Sequence, residues 1–303
     1  MKIGWMIRAG GIFGSVREAV ETGNALMCLG HSFTMYTDEG KDLSWLPNAL
    51  SWKNTHDAAV DDLDVLIWSD TPDNPYWQAF HRSPAKLKAF CVMGFDPIQC
   101  LPEMFLSPRH HELVTNFWTI CDGPWQLPYI RRYTENCGPA IGAVNATMFR
   151  PVDVGPSADV IWSGDPRARK GGDLVKEAIR GLKSDSYSKK GIKQNDLAAF
   201  ICKAPIFVDG HNRGGWCNPV LEAMACGRAV VCTDTHCNSD FAEHGYNCLK
   251  ANTAQGLRDH IETLRADDEL RKRLAANALQ TARRWTYDAM AVRLEAAMME
   301  RLK

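Results

Sequence analysis

Twice along its 303 residues the chain runs through the same cycle, a short apolar strand, a glycine-bearing loop, a helix and a further strand. Residues 2–7 are apolar and β-prone, and residues 8–14 form a glycine turn. From Ser15, Val16, Val20, Gly23 and Met27 recur at the spacing of one helical face. Gly30 stops that helix, and residues 32–37 form the next strand. The second cycle opens at residues 159–163, crosses a basic glycine loop at 164–171 and enters a helix at Gly172. A strand–helix–strand unit must cover its sheet with the helix, which leaves few architectures open.

Two such starts predict an α/β chain of two Rossmann-like domains, each within the usual size of about 150 residues. Their expected limits are 1–152 and 153–282, with 283–303 returning as a helix to the first domain. Further strands are expected at 63–68, 88–93 and 117–121, and at 204–208, 228–232 and 247–251. Those of the first half run into Asp70, Asp96 and Asp122, polar positions of the kind a parallel sheet shows at its ligand edge. Each of these aspartates is equally placed to cap a helix. Residues 142–151 break the alternation and read as a linker.

A net charge of -1 argues against attachment to nucleic acid or anionic lipid by bulk charge. Trp118, Trp125, Tyr129, Arg131, Arg132 and Tyr133 nevertheless interleave aromatics with arginines, as a base-gripping surface would. The eleven cysteines include no C-x-x-C pair and no zinc spacing, which predicts reduced, buried thiols in a cytoplasmic protein. No run approaches the roughly 18 apolar residues of a membrane span, and His81, His110 and His111 show no metal-binding pattern.

The most informative stretch is Gly214-Gly-Trp-Cys-Asn-Pro-Val-Leu-Glu-Ala-Met-Ala-Cys-Gly-Arg-Ala-Val-Val. Asn218 is the expected N-cap of its helix, Pro219 the first helical residue and Gly227 the stop. It resembles the donor-site signature of glycosyltransferase family four, Glu-Gly-Phe-Gly-x-Pro-x-Leu-Glu-Ala-Met-Ala-x-Gly-x-Pro-Val-Val. Ser163-Gly-Asp-Pro-Arg-Ala-Arg-Lys-Gly resembles the family's Gly-Arg-Leu…Lys-Gly loop, and Ala143-Val-Asn-Ala-Thr-Met-Phe-Arg-Pro its interdomain linker. Arg283-Arg-Trp-Thr resembles the motif where the last helix crosses back.

The resemblance implies the GT-B fold, with a nucleotide-sugar donor, UDP-sugar foremost, on the second domain. It also implies transfer to a hydroxyl acceptor across from the first domain, retention of anomeric configuration, and no bound metal or other cofactor. Glu222 matches the glutamate that binds the ribose hydroxyls. Gly214, Gly215, Trp216, Cys217 and Asn218, with Asp209 at the head of the loop, line the donor site. Lys170 matches the family lysine that neutralises the diphosphate. Asp165 stands in place of the family arginine, so Arg167 or Arg169 takes its role. Gly10 and Gly11 of the first turn either touch phosphate or only reverse the chain.

Gly214 replaces the glutamate that contacts the transferred sugar, and the second domain reads as trimmed between Lys183 and Lys193. Asp70, Asp96, Trp118 and Trp125 are the acceptor-side candidates. A carbohydrate or small molecule is the first choice of acceptor. A hydroxymethylated base in DNA is the second, since compact size and a Trp-rich first half are similar to viral glycosyltransferases. The competing functions are a GT-B nucleotide-sugar epimerase and a nucleotide-binding protein without transfer. A nicotinamide-dependent oxidoreductase fits less well, because its dinucleotide fingerprint is incomplete.

Overall fold

The computed structural model describes residues 1–8, 11, 14–69, 76–93, 107–188 and 192–303. They divide into two compact units, Met1–Gly142 with Tyr287–Lys303, and Ala143–Thr286. The sequence expectation set these divisions at 152 and 282. The first crossing falls instead at the start of the stretch expected as a linker.

The first unit is built on a seven-stranded parallel sheet in the order β3-β2-β1-β4-β5-β6-β7. Its strands are β1 (Lys2–Met6), β2 (Ser32–Thr37), β3 (Ser51–Asn54), β4 (Val65–Trp68), β5 (Leu87–Val92), β6 (Trp118–Cys121) and β7 (Cys137–Ala140). β4 and β6 are buried along their whole length, as strands covered on both faces must be. The helices are α1 (Gly14–Cys28), α2 (Tyr76–Arg82), α3 (Pro108–Asn116) and the short α4 (Leu127–Ile130). Trp5, Trp68, Trp118, Phe80 and Phe90 are among its fully buried side chains, so much of the tryptophan excess is core.

The last helix, α11 (Tyr287–Arg301), belongs to this unit and packs on α1. Met290, Ala291, Leu294 and Met298 form its buried face. His31 Nε2 meets Glu295 Oε1 at 2.8 Å, with its other ring nitrogen 3.0 Å from the N-terminal amine.

The second unit carries a five-stranded parallel sheet in the order β12-β11-β10-β8-β9. These are β8 (Val160–Trp162), β9 (Ser184–Ser186), β10 (Ile206–Asp209), β11 (Ala229–Cys232) and β12 (Leu249–Lys250). Around them lie α5 (Gly172–Ala178), α6 (Gln194–Ile201), α7 (Asn218–Ala225), α8 (His236–Ser239), α9 (Ala254–Ala266) and α10 (Asp268–Ala282). β9 lies in the region expected to be trimmed, and α6 begins directly after it. That step is shortened to a three-residue polar edge strand, too brief and too hydrophilic to show as periodicity. β3 and β7 escaped the sequence reading for the same reason, since neither has an apolar run.

Candidate functional site

In the second sheet the chain begins at β8, places β9 on one side of it and β10 on the other. Open parallel sheets bind ligands at the carboxyl ends of the strands where the order reverses in this way. Here the loops after β8 and β10 meet, and two glycines let them. Gly171 has φ +61°, and a Cβ on it would lie 1.8 Å from the carbonyl oxygen of Gly210. A Cβ on Gly210 would lie 2.6 Å from the carbonyl oxygen of Gly171. Lys170 directly precedes one glycine and His211 directly follows the other. Their side chains make contact, Nζ against Nε2.

Behind that contact lies a buried chain of hydrogen bonds. Asp209 and His211 are 2% and 1% exposed. Asp209 Oδ1 is 2.8 Å from His211 Nδ1, and Oδ2 accepts from the His211 backbone N–H at 3.0 Å and from the Cys217 thiol at 3.5 Å. The Thr233 hydroxyl donates to the His211 carbonyl, and Asn238 Nδ2 holds the Thr233 carbonyl at 2.9 Å. A ring nitrogen facing a carboxylate carries the proton, which leaves Nε2 as the acceptor for the Lys170 ammonium.

Burial pushes the Lys170 pKa down, and the charge of Arg169 adds to this against the pull of Asp209. Burial alone would raise Asp209, but hydrogen bonds from the His211 ring and backbone, with the Lys170 charge beyond, hold it below the usual carboxylate range. Burial, with a hydrogen bond to Cys237 and the Asp209 charge, pushes the Cys217 thiol well up.

Asp209, His211 and Cys217 bring donor atoms within 4.8 Å of one another, the only such group of three among the described residues. Both imidazole nitrogens are already engaged within the protein, and one of them faces a cation. The trio therefore reads as a proton-ordered chain in preference to a cation seat.

The other expected donor-side residues follow in the loop after β10 and in α7. Glu222 lies one turn inside α7 and is 4% exposed. The N-cap of α7 is Cys217, with no side-chain cap bond, so Asn218 and Pro219 each sit one place deeper than expected. The cause is the backbone bond from Cys217 N–H to the Cys237 carbonyl, which sets where the loop ends. Gly215 is buried beside them. Trp216 is core, its ring tilted against those of Phe241 and Trp285 at centroid distances of 4.8 and 5.2 Å, and so anchors the loop.

Gly214 has φ +156°, and a Cβ there would meet nothing within 4 Å. A first side-chain carbon has room there, but the backbone is one that L residues rarely adopt. Of the two arginines, Arg167 is engaged. Its Nε donates to Asp165 Oδ1 at 2.9 Å, and this pairing draws Asp165 down to about 2. The Arg169 guanidinium makes no ion pair among the described residues.

In the first unit, Gly10, Asp70 and Asp96 lie outside the described residues, and Gly11 is half-buried. Trp118 is 1% exposed, donates from Nε1 to the Gly138 carbonyl at 2.6 Å, and carries the Arg301 guanidinium over its ring. Trp125 is likewise buried, edge-on to Tyr129. Neither offers a face to a ligand in this conformation. Asp122 is buried after β6, near Glu18 of α1, whose pKa is raised well above normal by burial and by the Asp122 charge.

His211 is the residue that sequence reasoning passed over. The available signal was Asp209-Gly-His211, a carboxylate and an imidazole two places apart at the end of an apolar strand.

Residues 162–296 match a family described as glycosyl transferase-like. A stretch of 102 residues is 33% identical to the N,N'-diacetylbacillosaminyl-diphospho-undecaprenol alpha-1,3-N-acetylgalactosaminyltransferase of Campylobacter jejuni. It covers 33% of this chain and 27% of that enzyme. The fold is similar to sucrose-phosphate synthase from Thermosynechococcus elongatus, with TM-score 0.75 and 13% identity over 99% of this chain and 98% of that one. It is similar also to Anabaena HepE in complex with UDP-glucose, with TM-score 0.73 and 13% identity over 99% and 100%. No described helix is long and apolar enough to cross a membrane. With two parallel sheets, a last helix that belongs to the first unit and these matches, the chain has the GT-B fold and is similar over residues 162–296 to a glycosyl transferase-like family.

Proposed function

We propose that the protein transfers a sugar from a uridine-diphosphate donor, held by its second unit, to a hydroxyl group of a carbohydrate or small molecule. The observation that carries this reading is Lys170, a half-buried cation at the switch point of the second sheet, beside the loop that leads into the Glu222 helix. A desolvated ammonium is a costly feature unless an anion is to meet it. The similarity to HepE, which is seen with UDP-glucose and with UDP, supports a uridine nucleotide.

On this reading Glu222 accepts hydrogen bonds from the vicinal ribose hydroxyls, and the amides at the start of α7 face the donor phosphates. Lys170 and Arg169 stabilise the charge that grows on the departing diphosphate. Arg169 takes the second cationic place because Arg167 is bound to Asp165. Two cations and a helix end supply the positive charge that a metal would otherwise bring, and the resemblance to family four implies retention of configuration.

Incubation with a panel of UDP- and GDP-sugars tests the proposal. Expected is UDP release that depends on an added hydroxyl acceptor. Epimerised donor with no UDP release would favour the epimerase. Binding without turnover of any donor, across a broad acceptor panel, would favour a nucleotide-binding protein.

A further inference from the structure

Lys170 is poorly placed to act alone. Its burial disfavours the charged form that a diphosphate needs, and a lysine stem free to rotate would lose entropy on binding. His211 is 1% exposed, fixed at Nδ1 by Asp209 and at its carbonyl by Thr233, and its remaining ring nitrogen ends on Nζ. An imidazole held this tightly has one lone pair to give. It gives that pair to the ammonium.

We propose that His211 is a positioning residue that, oriented by Asp209, holds the Lys170 ammonium in one place with its other N–H bonds free for the donor diphosphate. The inference rests on the donor-site reading above. The neutral imidazole partly replaces the water that Lys170 loses, and its orientation comes from Asp209, not from the ligand. The close approach of Gly171 and Gly210 sets the distance between the two side chains, so the pair is built by the backbone before any ligand arrives. Asp209 and Lys170 carry opposite charges at the two ends of the imidazole, so the chain is neutral as a whole and tolerates burial better than a lone cation.

A double-mutant cycle read with UDP and with uridine tests this. Lys170→Ala and His211→Ala should each weaken UDP binding about tenfold, the scale of a lost charge-assisted hydrogen bond. They should leave uridine binding within about twofold, and the double variant should be little worse than Lys170→Ala alone. His211→Gln, which can offer an N–H to Asp209 and a carbonyl to Lys170 at once, should retain most of the UDP affinity. Full additivity of the two alanine changes, or an equal loss of uridine binding, would overturn the proposal.

Nitrogen NMR of the histidine ring in the wild-type protein stands independent of any folding defect in the variants. Expected is a protonated Nδ1 and a bare Nε2; a protonated Nε2 in the nucleotide-free protein overturns the contact. Lys170→Ala with unchanged UDP affinity would instead bring down the donor-site reading, which the ring measurement, made without nucleotide, does not depend on.

Discussion

The two sheets reverse their strand order in the same way, between β1 and β4 in the first unit and between β8 and β10 in the second, yet join those strand ends by opposite means. In the first, Trp5 Nε1 donates to Ser69 Oγ at 2.7 Å, a buried, neutral bond. In the second, an ammonium, an imidazole and a carboxylate stand in line. Burying charge costs far more than burying an indole and a hydroxyl. On the donor-site reading proposed above, the cost accepted at the second switch point marks where the donor's charge is met. Shared topology therefore says where a ligand can bind, and the side chains at the reversal say what kind.

The largest effect that would sharpen this contrast is expected at Lys170. Lys170→Ala should slow turnover by about a hundred- to a thousandfold, as losses of transition-state electrostatic groups do, and should weaken UDP binding less. Equal losses in kcat and in UDP affinity would reduce Lys170 to ground-state binding. Next comes the glycine crossing. Gly171→Ala should cost about 2–4 kcal/mol in chemical denaturation, because it adds both a disfavoured φ and a backbone clash; a cost near zero would show that the two loops do not touch.

Ser69→Ala tests the other side of the comparison. Leaving the Trp5 indole N–H buried without its partner should cost about 1–3 kcal/mol of stability while UDP affinity stays unchanged. A loss of UDP affinity there would erase the distinction between the two switch points. The smallest change is expected at Gly214→Ala, about 1 kcal/mol, from backbone conformation alone, since the space is open. A much larger loss would place a neighbour where a Cβ now meets none.

The second unit was legible largely because chemistry and periodicity coincide there. Motif resemblance singled out Glu222 and Lys170, and β8, β10 and β11 stand out as short apolar runs. The polar edge strands β3 and β9 were not, since their position comes from pairing with a neighbour and not from their own pattern. Trp118 shows another limit. Its grouping with Arg131 and Arg132 suggested a base-gripping surface, but Arg301, far along the chain, is what lies over it. The role of His211 is long-range in the same sense. Only the approach of Gly171 to Gly210 brings the imidazole to Lys170, and no local spacing encodes that approach.

Titration calorimetry of UDP into the wild-type protein and into Glu222→Ala addresses the donor site most directly. Expected is UDP binding by the wild type and a loss of about 2–3 kcal/mol in the variant, the usual cost of removing a charged acceptor from a pair of hydroxyl donors. Unchanged affinity in Glu222→Ala, or no UDP binding by the wild type, would contradict the placement of a uridine nucleotide on the second unit.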